Sequence, residues 1–553
     1  MTRKKNNTLN KLIKKRIKCF FIVFLLLFTY LFYEIVCLTI LKNEEYTNRV
    51  KNQNLEIIDL NSGRGIIYDR NNIALTDNKK KKILLVPKEV ISGNFKNISL
   101  IKKATKLSER EIYKSVQNQL SKEIIEIEID YIDKSKINEL KEKNILVKEK
   151  TIRYSDDNLL THLIGYIKTS ENNGVSGIEK YMNEELKDSN KNYVSVFKAG
   201  VNSGGLDYLK GSFEEVSENK TSKHLKLTID SKIQKNVEEI MDKEENPTAV
   251  VISDTESGEI LAMSSRPNFN QNKIYSYKNS KNGELQNRVL GVTYPPGSVF
   301  KLVVLYAAIK NNIIDENYMY NCNGSIKIGS KNEYLNCNNN VAHGIETLSD
   351  ALSNSCNCAF YDIAKKVGSE KIFAAIKELH LDEKVDIGIY EEKNSKLPED
   401  IAISNLAIGQ ANIEFTPLQI NQLTQIIANN GTYMPLSIYD SIIDNDKNCV
   451  KTYKSSKKTE IIAPYTMTRI KEMMINVSKT GTAKSLVDLE GGCGVKTGTA
   501  QSSLNGKKIS HGWITGFYPE INPKYTITVV VQGTEKESKS AIPIFKEICE
   551  KLK

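Results

Sequence analysis

The chain has 553 residues, of which 40% are hydrophobic and 26% charged, and its formal net charge is +11. This composition excludes a disordered protein, and the length is too great for one ordinary core, so we expect at least two domains outside the membrane. Much of the positive charge lies in the first eighteen residues, and no basic stripe interleaved with aromatic residues follows, so nucleic acid is not predicted as a partner.

A membrane-spanning segment follows the basic tail. Residues 19–41, CFFIVFLLLFTYLFYEIVCLTIL, are long and apolar enough to cross a bilayer as a helix. The lysines ahead of this segment predict a cytoplasmic N-terminus, and the lack of a small-residue cleavage site indicates an uncleaved signal anchor. We therefore predict a single-pass protein of the cell membrane, with a cytoplasmic tail at residues 1–18 and an extracytoplasmic remainder.

The next segment, residues 42–224, is rich in Lys, Asn, Ile and Glu and contains short strand-like and helix-like pieces. GRGIIYDRNN is typical of an apolar strand that runs into a turn at residues 69–72. No residues here have the spacing of a catalytic site, so we predict an elongated α+β pedestal that acts as a scaffold.

Residues 225–553 have a different character. Apolar residues alternate over residues 225–229 as in a strand, and a helical pattern follows from Asp230. TAVVISDTESGEILAMSS predicts a hairpin with its turn at Glu256–Gly258, and two further strands and a helix are predicted near the C-terminus. Strands at both ends of a helical middle predict an α+β domain whose antiparallel sheet is covered by helices.

The segment YPPGSVFKLVVLYAAI predicts a turn and then a buried helix that begins at about Ser298. Ser298 and Lys301 are three residues apart, so they lie one turn apart on the same face of that helix. Burial lowers the proton affinity of a lysine, which suits Lys301 to take the proton of Ser298 as the hydroxyl attacks a carbonyl. The helix N-terminus favours the negative charge that develops.

A Ser-x-x-Lys pattern alone is weak, because Ser99–Lys102 and Ser455–Lys458 also match it and are interpreted as surface turns. Two later motifs support Ser298. LSNSCNCAF supplies a Ser-x-Asn triplet with Ser355 and Asn357, which by itself is also typical of a helix N-cap. A Lys-Thr-Gly triplet comes third, and this ordered trio is that of penicillin-binding proteins and class A β-lactamases.

KTGTA occurs twice, at Lys479–Ala483 and at Lys496–Ala500. The first copy follows apolar residues at helical spacing over residues 467–477, which places it at a helix end. The second copy precedes two predicted strands and is interpreted as a strand itself, with Gly498 allowing a substrate backbone to approach closely. We predict that Lys496–Thr499 is the functional copy and that the first copy is a coincidence.

With these residues the chain resembles a class B penicillin-binding protein, a membrane-anchored peptidoglycan DD-transpeptidase. The resemblance covers nearly all of the chain outside the cytoplasmic tail. It rests on RGIIYDR, GVSGIEKYMNEEL, LTIDSKIQ, GEILAMSSRPNFNQN, YPPGSVFK, HGIETLSDALSNSCNCAF, AIGQANIEFTPLQ and GVKTGTAQ, in family order. It implies a penicillin-binding transpeptidase domain at residues 225–553 and a dimerisation-type pedestal at residues 42–224. The first KTGTA falls where the family usually has only Gly-Thr-Ala, so its Lys-Thr prefix is interpreted as accidental.

The resemblance also implies roles for the first two motifs. Ser298 would be acylated by a stem peptide that ends in D-Ala-D-Ala, and Lys301 would be the base. Ser355 would relay a proton to the leaving amine, and Asn357 would contact the peptide. An amine from a neighbouring stem peptide would resolve the acyl-enzyme and make a cross-link, and β-lactams would trap Ser298.

The third motif would hold the substrate. The resemblance implies that Lys496, Thr497 and Thr499, with Gly498 between them, bind the substrate carboxylate. The backbone N–H groups of Ser298 and Thr499 would form an oxyanion hole. No cofactor would be required for this catalysis.

Four cysteines and a histidine fall in one short window: Cys322, Cys337, His343, Cys356 and Cys358. Three interpretations compete: a Cys322–Cys337 disulfide, buried free thiols, or a structural tetrahedral zinc site of Cys322, Cys337, His343 and Cys358. Cys358 stands where the family more often has a threonine or another small residue. Zinc would brace the Ser-x-Asn motif without taking part in acyl transfer, and Cys493 is an alternative ligand.

Two other functions share these features. A serine β-lactamase or β-lactam sensor has the same trio, but no glutamate with a convincing motif for activating water lies between Asn357 and Lys496. A non-catalytic scaffold of division or elongation disagrees with the intact motifs. The resemblance further implies a membrane lipid II polymerase and other wall-synthesis proteins as partners, in elongation, division or sporulation.

Overall fold

The structure is a computed structural model, and it describes residues 2–38, 42, 55–91, 95–187, 189–202, 205–218, 222–329, 332–398, 401–410, 412–453, 459–504 and 507–553. The chain forms two compact units. The first comprises Met1–Leu60, Lys81–Lys150 and Asn192–Glu218, and the second comprises Asn61–Lys80, Thr151–Lys191 and Asn219–Lys553. Residues of the predicted pedestal thus occur in both units, and the predicted boundary between residues 224 and 225 stays a prediction.

The first helix, Thr2–Val36, contains the basic tail as well as the apolar segment. Its Ile13–Val36 part is long and apolar enough to cross a membrane, and no other helix among the described residues is. The predicted span began at residue 19 and ended at residue 41, and residues 39–41 lie outside the described residues. The prediction of an N-terminal apolar helix is confirmed.

The first unit also contains two three-stranded sheets. One has the order Leu55–Asp59, Lys191–Asn202, Gly205–Glu218, and the other has the order Ile124–Ile129, Lys79–Pro87, Leu146–Ile152. The apolar end of KKKKILLVP is buried, because its side chains pack in the small core of this unit. The helices that accompany the sheets are Lys88–Ile91, Phe95–Thr105, Glu109–Gln117 and Ile137–Glu142.

A five-stranded antiparallel sheet organises the second unit. Its strands lie in the order Ile260–Ser265, Thr248–Asp254, Tyr525–Val531, Lys507–Tyr518, Gly494–Leu504. The first two form the hairpin predicted around Glu256–Gly258. The strand Tyr525–Val531 is buried along its whole length, as its run of β-branched and aromatic residues requires.

Helices cover this sheet, which confirms the predicted α+β architecture. The helix predicted to follow from Asp230 is Ser231–Met241, with Asp230 as its N-cap residue, and this helix packs against Ser538–Lys551. In a second group, Pro417–Ala428 and Pro464–Lys479 pack on the sheet and on each other, and Lys301–Lys310 packs against Pro464–Lys479 and the Asn357–Val367 helix. The remaining helices of the unit are Thr161–Ile164, Gly177–Tyr181, Asn183–Leu186, Leu348–Ser353, Ser369–Glu378 and Ile403–Ala407.

Short strands complete the second unit. Ile67–Tyr68 pairs in parallel with His224–Leu227, which continues antiparallel to Tyr439–Ile443 and then Cys449–Thr452. Four small antiparallel pairs are Met319–Cys322 with Gly344–Thr347, Ser325–Ile328 with Glu333–Asn336, Thr432–Tyr433 with Glu460–Ile461, and Ile167–Lys168 with Asn173–Gly174.

A buried cluster of charges joins two of the motifs quoted from the sequence. Arg64 of RGIIYDR and Arg153 each donate from Nε to the Glu179 carboxylate of GVSGIEKYMNEEL, at 2.9 Å and 2.8 Å. Glu179 is fully buried and also accepts from Tyr154 Oη at 3.0 Å. Burial would raise the pKa of Glu179, but the two guanidinium groups outweigh it and hold that pKa below its ordinary value. These motif residues therefore serve the fold of the second unit.

Candidate active site

The turn that carries Ser298 is tighter than predicted. Gly297–Phe300 forms a 3-10 turn, and the α-helix begins at Lys301 and continues to Lys310. Gly297 has a φ of +53°, which starts the turn in a conformation outside the α-helical region. The Ser298 side chain is half-buried and faces the cleft, whereas the helix that follows is buried up to Ala308.

Lys301 is fully buried and directs its Nζ to the Ser-x-Asn motif. It donates to Ser355 O at 2.6 Å, to Asn357 Oδ1 at 2.7 Å and to Ser355 Oγ at 3.1 Å. Burial lowers the pKa of Lys301 to about 8, against an opposing effect of the nearby cysteine sulfurs. Among the described residues, the hydrogen bonds of Lys301 Nζ go to Ser355 and Asn357. Ser298, the partner predicted from the sequence, lies one turn away but does not accept a hydrogen bond from Lys301 in this structure.

Ser355 stands between two helices in a left-handed conformation with a φ of +55°. Its hydroxyl oxygen accepts from Lys301 Nζ and also from Lys496 Nζ, the latter at 3.0 Å. Cys356 is the N-cap residue of the helix that starts at Asn357, so the helix-cap interpretation holds for that residue, and the functional interpretation of Ser355 and Asn357 stays a prediction.

The second KTGTA lies on the Gly494–Leu504 strand, as predicted, at the edge of the five-stranded sheet. Lys496 is fully buried, and its Nζ also donates to Thr497 O at 2.9 Å. Burial lowers the pKa of Lys496 well below its ordinary value, and the charge of Lys301 acts in the same direction.

The first KTGTA divides into two parts. Lys479 ends the Pro464–Lys479 helix and forms an ion pair with Glu520, which places the Lys-Thr prefix outside the cleft. Thr482 differs, because its Oγ1 lies 2.6 Å from Thr497 Oγ1 of the second copy and it lines the cleft. The sequence analysis missed Thr482, although the family pattern of Gly-Thr-Ala after a helix was the signal for it.

Gly498 has a packing role that was not expected. A Cβ at this position would lie 2.9 Å from Pro296 O and 3.0 Å from Val299 Cγ2. The absence of a side chain therefore lets the turn of Ser298 pack directly on the strand, whereas the sequence analysis explained the glycine by the approach of a substrate.

These elements enclose one polar cleft of about 510 Å³. It is lined by all three predicted motifs, through Ser298, Ser355, Asn357 and residues 497–499. Residues outside the three motifs also line the cleft, and they were not predicted from the sequence: Asn336, Asn338, Asn354, Asn405, Gln410, Thr482, Gln501 and Glu537. Asn357 Nδ2 donates to Asn336 O at 2.8 Å, which joins the Ser-x-Asn motif to the cysteine-bearing segment.

The cysteines form a compact cluster around Cys337. Its Sγ lies 3.6 Å from Cys322 Sγ, 3.7 Å from Cys356 Sγ and 3.5 Å from Cys358 Sγ. All nine cysteines are free, so the Cys322–Cys337 disulfide is not formed. Hydrogen bonds with Cys356 and Cys358 lower the pKa of the Cys337 thiol, which favours the thiolate form that binds metals.

The group able to hold a metal differs in one residue from the predicted set. Cys322, Cys337, His343 and Cys356 have ligand atoms that all lie within 4.8 Å of one another, and Cys356 replaces the predicted Cys358. The Cys356 sulfur lies 3.7 Å from Cys337 Sγ and accepts a hydrogen bond from Ala359 N, whereas Cys358 lies 3.5 Å from Cys337 Sγ but outside the group whose ligand atoms all lie together. His343 Nδ1 is buried without a hydrogen bond, which fits a ligand atom; Cys493 does not belong to this group.

Comparisons with known proteins identify the family of the chain. The family model of the penicillin binding protein transpeptidase domain matches residues 248–550, and that of the penicillin-binding protein dimerisation domain matches residues 59–207. The chain is 29% identical to Stage V sporulation protein D of Bacillus subtilis, over 93% of this chain and 80% of that protein. It is 23% identical to the peptidoglycan D,D-transpeptidase MrdA of Acinetobacter baumannii, over 90% and 83%.

Solved structures show the same fold. The complex between penicillin-binding protein PBP2 and MreC from Helicobacter pylori has a chain that matches with a TM-score of 0.62 and 25% identity, over 90% of this chain and 98% of that one. Pseudomonas aeruginosa PBP2 in complex with WCK 5153 matches with a TM-score of 0.61 and 21% identity, over 88% and 95%.

The chain belongs to the penicillin-binding protein transpeptidase family, whose domain model covers more than half of its length. The dimerisation domain ahead of the transpeptidase domain makes it a class B penicillin-binding protein, as the sequence predicted. A peptidoglycan D,D-transpeptidase is accordingly favoured over a β-lactamase and over a scaffold.

Proposed function

We propose that this protein is a serine D,D-transpeptidase that cross-links peptidoglycan stem peptides through an acyl-enzyme on Ser298. The observation that carries the proposal is the convergence of the three motifs on one cleft, where both lysines donate to the Ser355 hydroxyl. The mutual contact of a weakly basic lysine, a second lysine and a serine is the arrangement that acid–base catalysis at an acyl carbon needs.

In the acylation step, Ser298 Oγ attacks the carbonyl of the penultimate D-Ala while its proton passes to neutral Lys301. The backbone N–H groups of Ser298 and Thr499 stabilise the oxyanion. The C–N bond to the terminal D-Ala then breaks, and the leaving nitrogen takes a proton through Ser355. Lys496, Thr497 and Thr499 hold the carboxylate of the departing residue.

In the second step, the amine of a neighbouring stem peptide attacks the ester carbonyl. A new C–N bond forms, the bond to Ser298 Oγ breaks, and a proton of the amine returns to that oxygen through the same groups. One amide replaces another, so the overall reaction uses no oxidant, reductant or cofactor. Penicillin would acylate Ser298 in the same way, but the nitrogen released by ring opening would stay attached to the acyl group. The site would therefore remain occupied.

Intact mass spectrometry of the full-length chain in detergent tests this function. With penicillin we expect a one-to-one adduct that persists for hours, and with a stem pentapeptide we expect release of D-Ala and formation of a cross-linked dimer. Rapid return to the starting mass with consumption of the drug would establish a β-lactamase instead. If neither an adduct nor a dimer formed, the protein would be better explained as a non-catalytic scaffold.

Acylation should depend on pH through Lys301. The base must be neutral, and its pKa is lowered to about 8, so the reactive form predominates above that pH and is lost below it. We expect the rate constant for acylation by penicillin to fall about tenfold for each unit below pH 8 and to level off above it. Stopped-flow or quenched mass measurements from pH 6 to 10 would check this; a flat profile would exclude Lys301 as the base.

We also propose a structural zinc ion at the cysteine cluster, held by Cys322, Cys337, His343 and Cys356. The donor set of soft sulfurs and one imidazole suits zinc, and the ligand atoms already lie close together. Bound zinc would supply cross-linking of chain segments and no chemistry on the substrate. It would hold the segment that ends in Asn336 against Asn357.

Removal of the metal should therefore lower the thermal stability of the protein. We expect native mass spectra to show one zinc ion per chain, and a chelator that strips it to lower Tm by about 10 °C. Cys356→Ser should reduce zinc occupancy, whereas Cys449→Ser, at an exposed cysteine outside the cluster, should not. A metal-free chain with an unchanged Tm in chelator would refute the zinc site, and a mass two hydrogens lower would indicate a disulfide.

Membrane topology and partners complete the proposal. The Ile13–Val36 helix fits a single-pass anchor, and the lysines ahead of it support a cytoplasmic N-terminus with the catalytic unit outside. A pedestal at residues 42–224 and a transpeptidase domain at residues 225–553 remain the proposed domains. Because one similar structure is a complex with MreC, wall-synthesis proteins are proposed partners, among them a lipid II polymerase in the membrane.

A further inference from the structure

The cleft contains a carboxylate that the proposed acyl transfer does not use. Glu537 directly precedes the Ser538–Lys551 helix, and its Oε2 lies 3.5 Å from the Thr499 Oγ1 that donates to it. Among the described residues that line the cleft, Glu537 is the single acidic side chain. A negative charge therefore stands beside the oxyanion-hole residue Thr499, at the end of the cleft where the departing D-Ala would lie.

The backbone of Glu537 is held in a conformation that favours glycine. Its φ is +53° and its ψ is −138°, which is unfavourable for a residue with a side chain. The Glu537 carbonyl packs so closely on Gly512, the cross-strand partner of Thr499, that a Cβ on Gly512 would lie 2.0 Å from it. Ser540 Oγ donates to the same carbonyl at 2.7 Å. Strain kept at a residue that faces an active site is a reason to ask what its side chain does there.

The Glu537 carboxylate is available to a ligand. Within the described part of the chain it forms no ion pair, and the hydrogen bonds of the two buried lysines of the site, Lys301 and Lys496, go to Ser355, Asn357 and Thr497. A carboxylate in a cleft that lacks a cationic partner is a binding group for a cation supplied from outside.

We propose that Glu537 binds the ammonium group of the acceptor stem peptide, the one that resolves the acyl-enzyme. This proposal rests on the proposed function, because Ser298 must first hold the acyl group. The acceptor nitrogen attacks from the side that the D-Ala nitrogen has left, so it passes Thr499 and comes within reach of Glu537. The bound ammonium loses one proton to solvent, and the neutral amine then attacks as described above.

The same charge acts in the opposite sense on an anion. A penicillin carries a carboxylate that the subsite of Lys496, Thr497 and Thr499 would hold, close to Glu537. The negative charges of the penicillin carboxylate and of Glu537 would repel each other there. Removal of the Glu537 charge should therefore speed acylation by an anionic β-lactam while it slows attack by an ammonium-bearing acceptor. General damage to the cleft would slow both reactions, so the two signs together separate a binding role from a structural one.

The test compares Glu537→Gln with the wild-type full-length chain. The donor is a peptide that ends in D-Ala-D-Ala with its side-chain amine acetylated, and the acceptor is a stem peptide with one free side-chain amine. Mass spectrometry gives the ratio of cross-linked dimer to hydrolysed donor, which reports the fate of one acyl-enzyme whatever its rate of formation. We expect this ratio to fall about tenfold in the variant, and acylation by benzylpenicillin to rise severalfold. The differences should shrink at high salt.

Two further variants guard the interpretation. Glu535→Gln removes an exposed carboxylate two residues away and should change neither quantity. Glu537→Gly removes the carboxylate and also relieves the backbone, so it should unfold at the same or a higher temperature than the wild type while it shows the same loss of dimer. A normal ratio in both Glu537 variants would overturn the proposal.

Other outcomes separate the two levels of inference. A wild-type chain that forms no acyl-enzyme would refute the proposed function itself. Normal acylation with a dimer ratio that is insensitive to Glu537 would refute only the acceptor site. A loss that appears solely with a donor whose amine is free would assign the bound ammonium to the donor strand, which also contradicts the proposal.

Discussion

Ser298→Ala is expected to abolish both the penicillin adduct and cross-linking. The alanine chain lacks the oxygen that forms the ester, and what remains of the cleft can at most orient the donor and polarise its carbonyl. We expect turnover of a stem-peptide donor to fall by about ten-thousand-fold or more. Because Ser298 is half-buried on a turn, loss of its hydroxyl should leave the fold intact. Intact mass after penicillin, and chromatography of dimer formation, would measure the two losses.

The chain offers a matched control for this substitution. Ser99 stands in the same Ser-x-x-Lys pattern, and it is exposed on the surface as predicted, but on the Phe95–Thr105 helix of the first unit rather than in a turn. Ser99→Ala should keep the adduct and the activity of the wild type. If Ser298→Ala kept full cross-linking activity, the serine mechanism would be wrong and a scaffold would be the better interpretation.

Glu179→Ala is expected to lower the free energy of unfolding far more than a substitution at a surface ion pair of the same unit. Glu179 is fully buried between Arg64 and Arg153, so its removal leaves two buried guanidinium groups without their common partner. Breaking a buried ion pair from one side typically lowers the free energy of unfolding by about 3–5 kcal/mol. The single tryptophan, Trp513, is buried in the sheet of the same unit, so its fluorescence can follow the unfolding of that unit in urea.

A surface pair in the same unit provides the comparison. Glu185 forms an ion pair with Lys223 at 2.7 Å, and the side chains of Lys223 and Glu185 are 51% and 32% exposed to solvent. Glu185→Ala should change the free energy of unfolding by less than about 1 kcal/mol. Equal midpoints for the two variants would mean that the buried cluster does not stabilise the second unit.

Local sequence patterns predicted much of the site. The order of the three motifs predicted Ser298, Lys301, Ser355, Asn357 and Lys496 as site residues. In the structure the two serines and Asn357 line one cleft, and both lysines donate to Ser355 Oγ. The choice between the two KTGTA copies was also possible, because helical spacing precedes one and strand patterns follow the other. In each case the information lies within a few neighbouring residues.

The residues that were missed lack such local information. Thr482 and Glu537 reach the cleft because a helix end and a loop happen to be packed beside the edge strand, and no spacing rule connects either residue with Ser298. Whether Cys356 or Cys358 belongs to the candidate metal-binding group depends on where each sulfur lies relative to Cys322 and His343, which residue spacing does not give. Gly498 was predicted to let a substrate backbone approach closely, which stays a prediction, and only the folded chain identifies Pro296 O as a group that also needs the space.

The two buried lysines also couple the binding of anions to the uptake of protons. Both donate to one oxygen, Ser355 Oγ, and the positive charge of Lys301 makes it harder for Lys496 to hold its proton. When a carboxylate enters, its negative charge offsets this repulsion, and the pair regains protons from the solvent. Association of penicillin or of a donor peptide should therefore consume protons in weakly alkaline buffer, and calorimetric heats should vary with the ionisation enthalpy of the buffer. Ligand charge and solvent pH therefore both act on the protonation of the same two nitrogens, Lys301 Nζ and Lys496 Nζ.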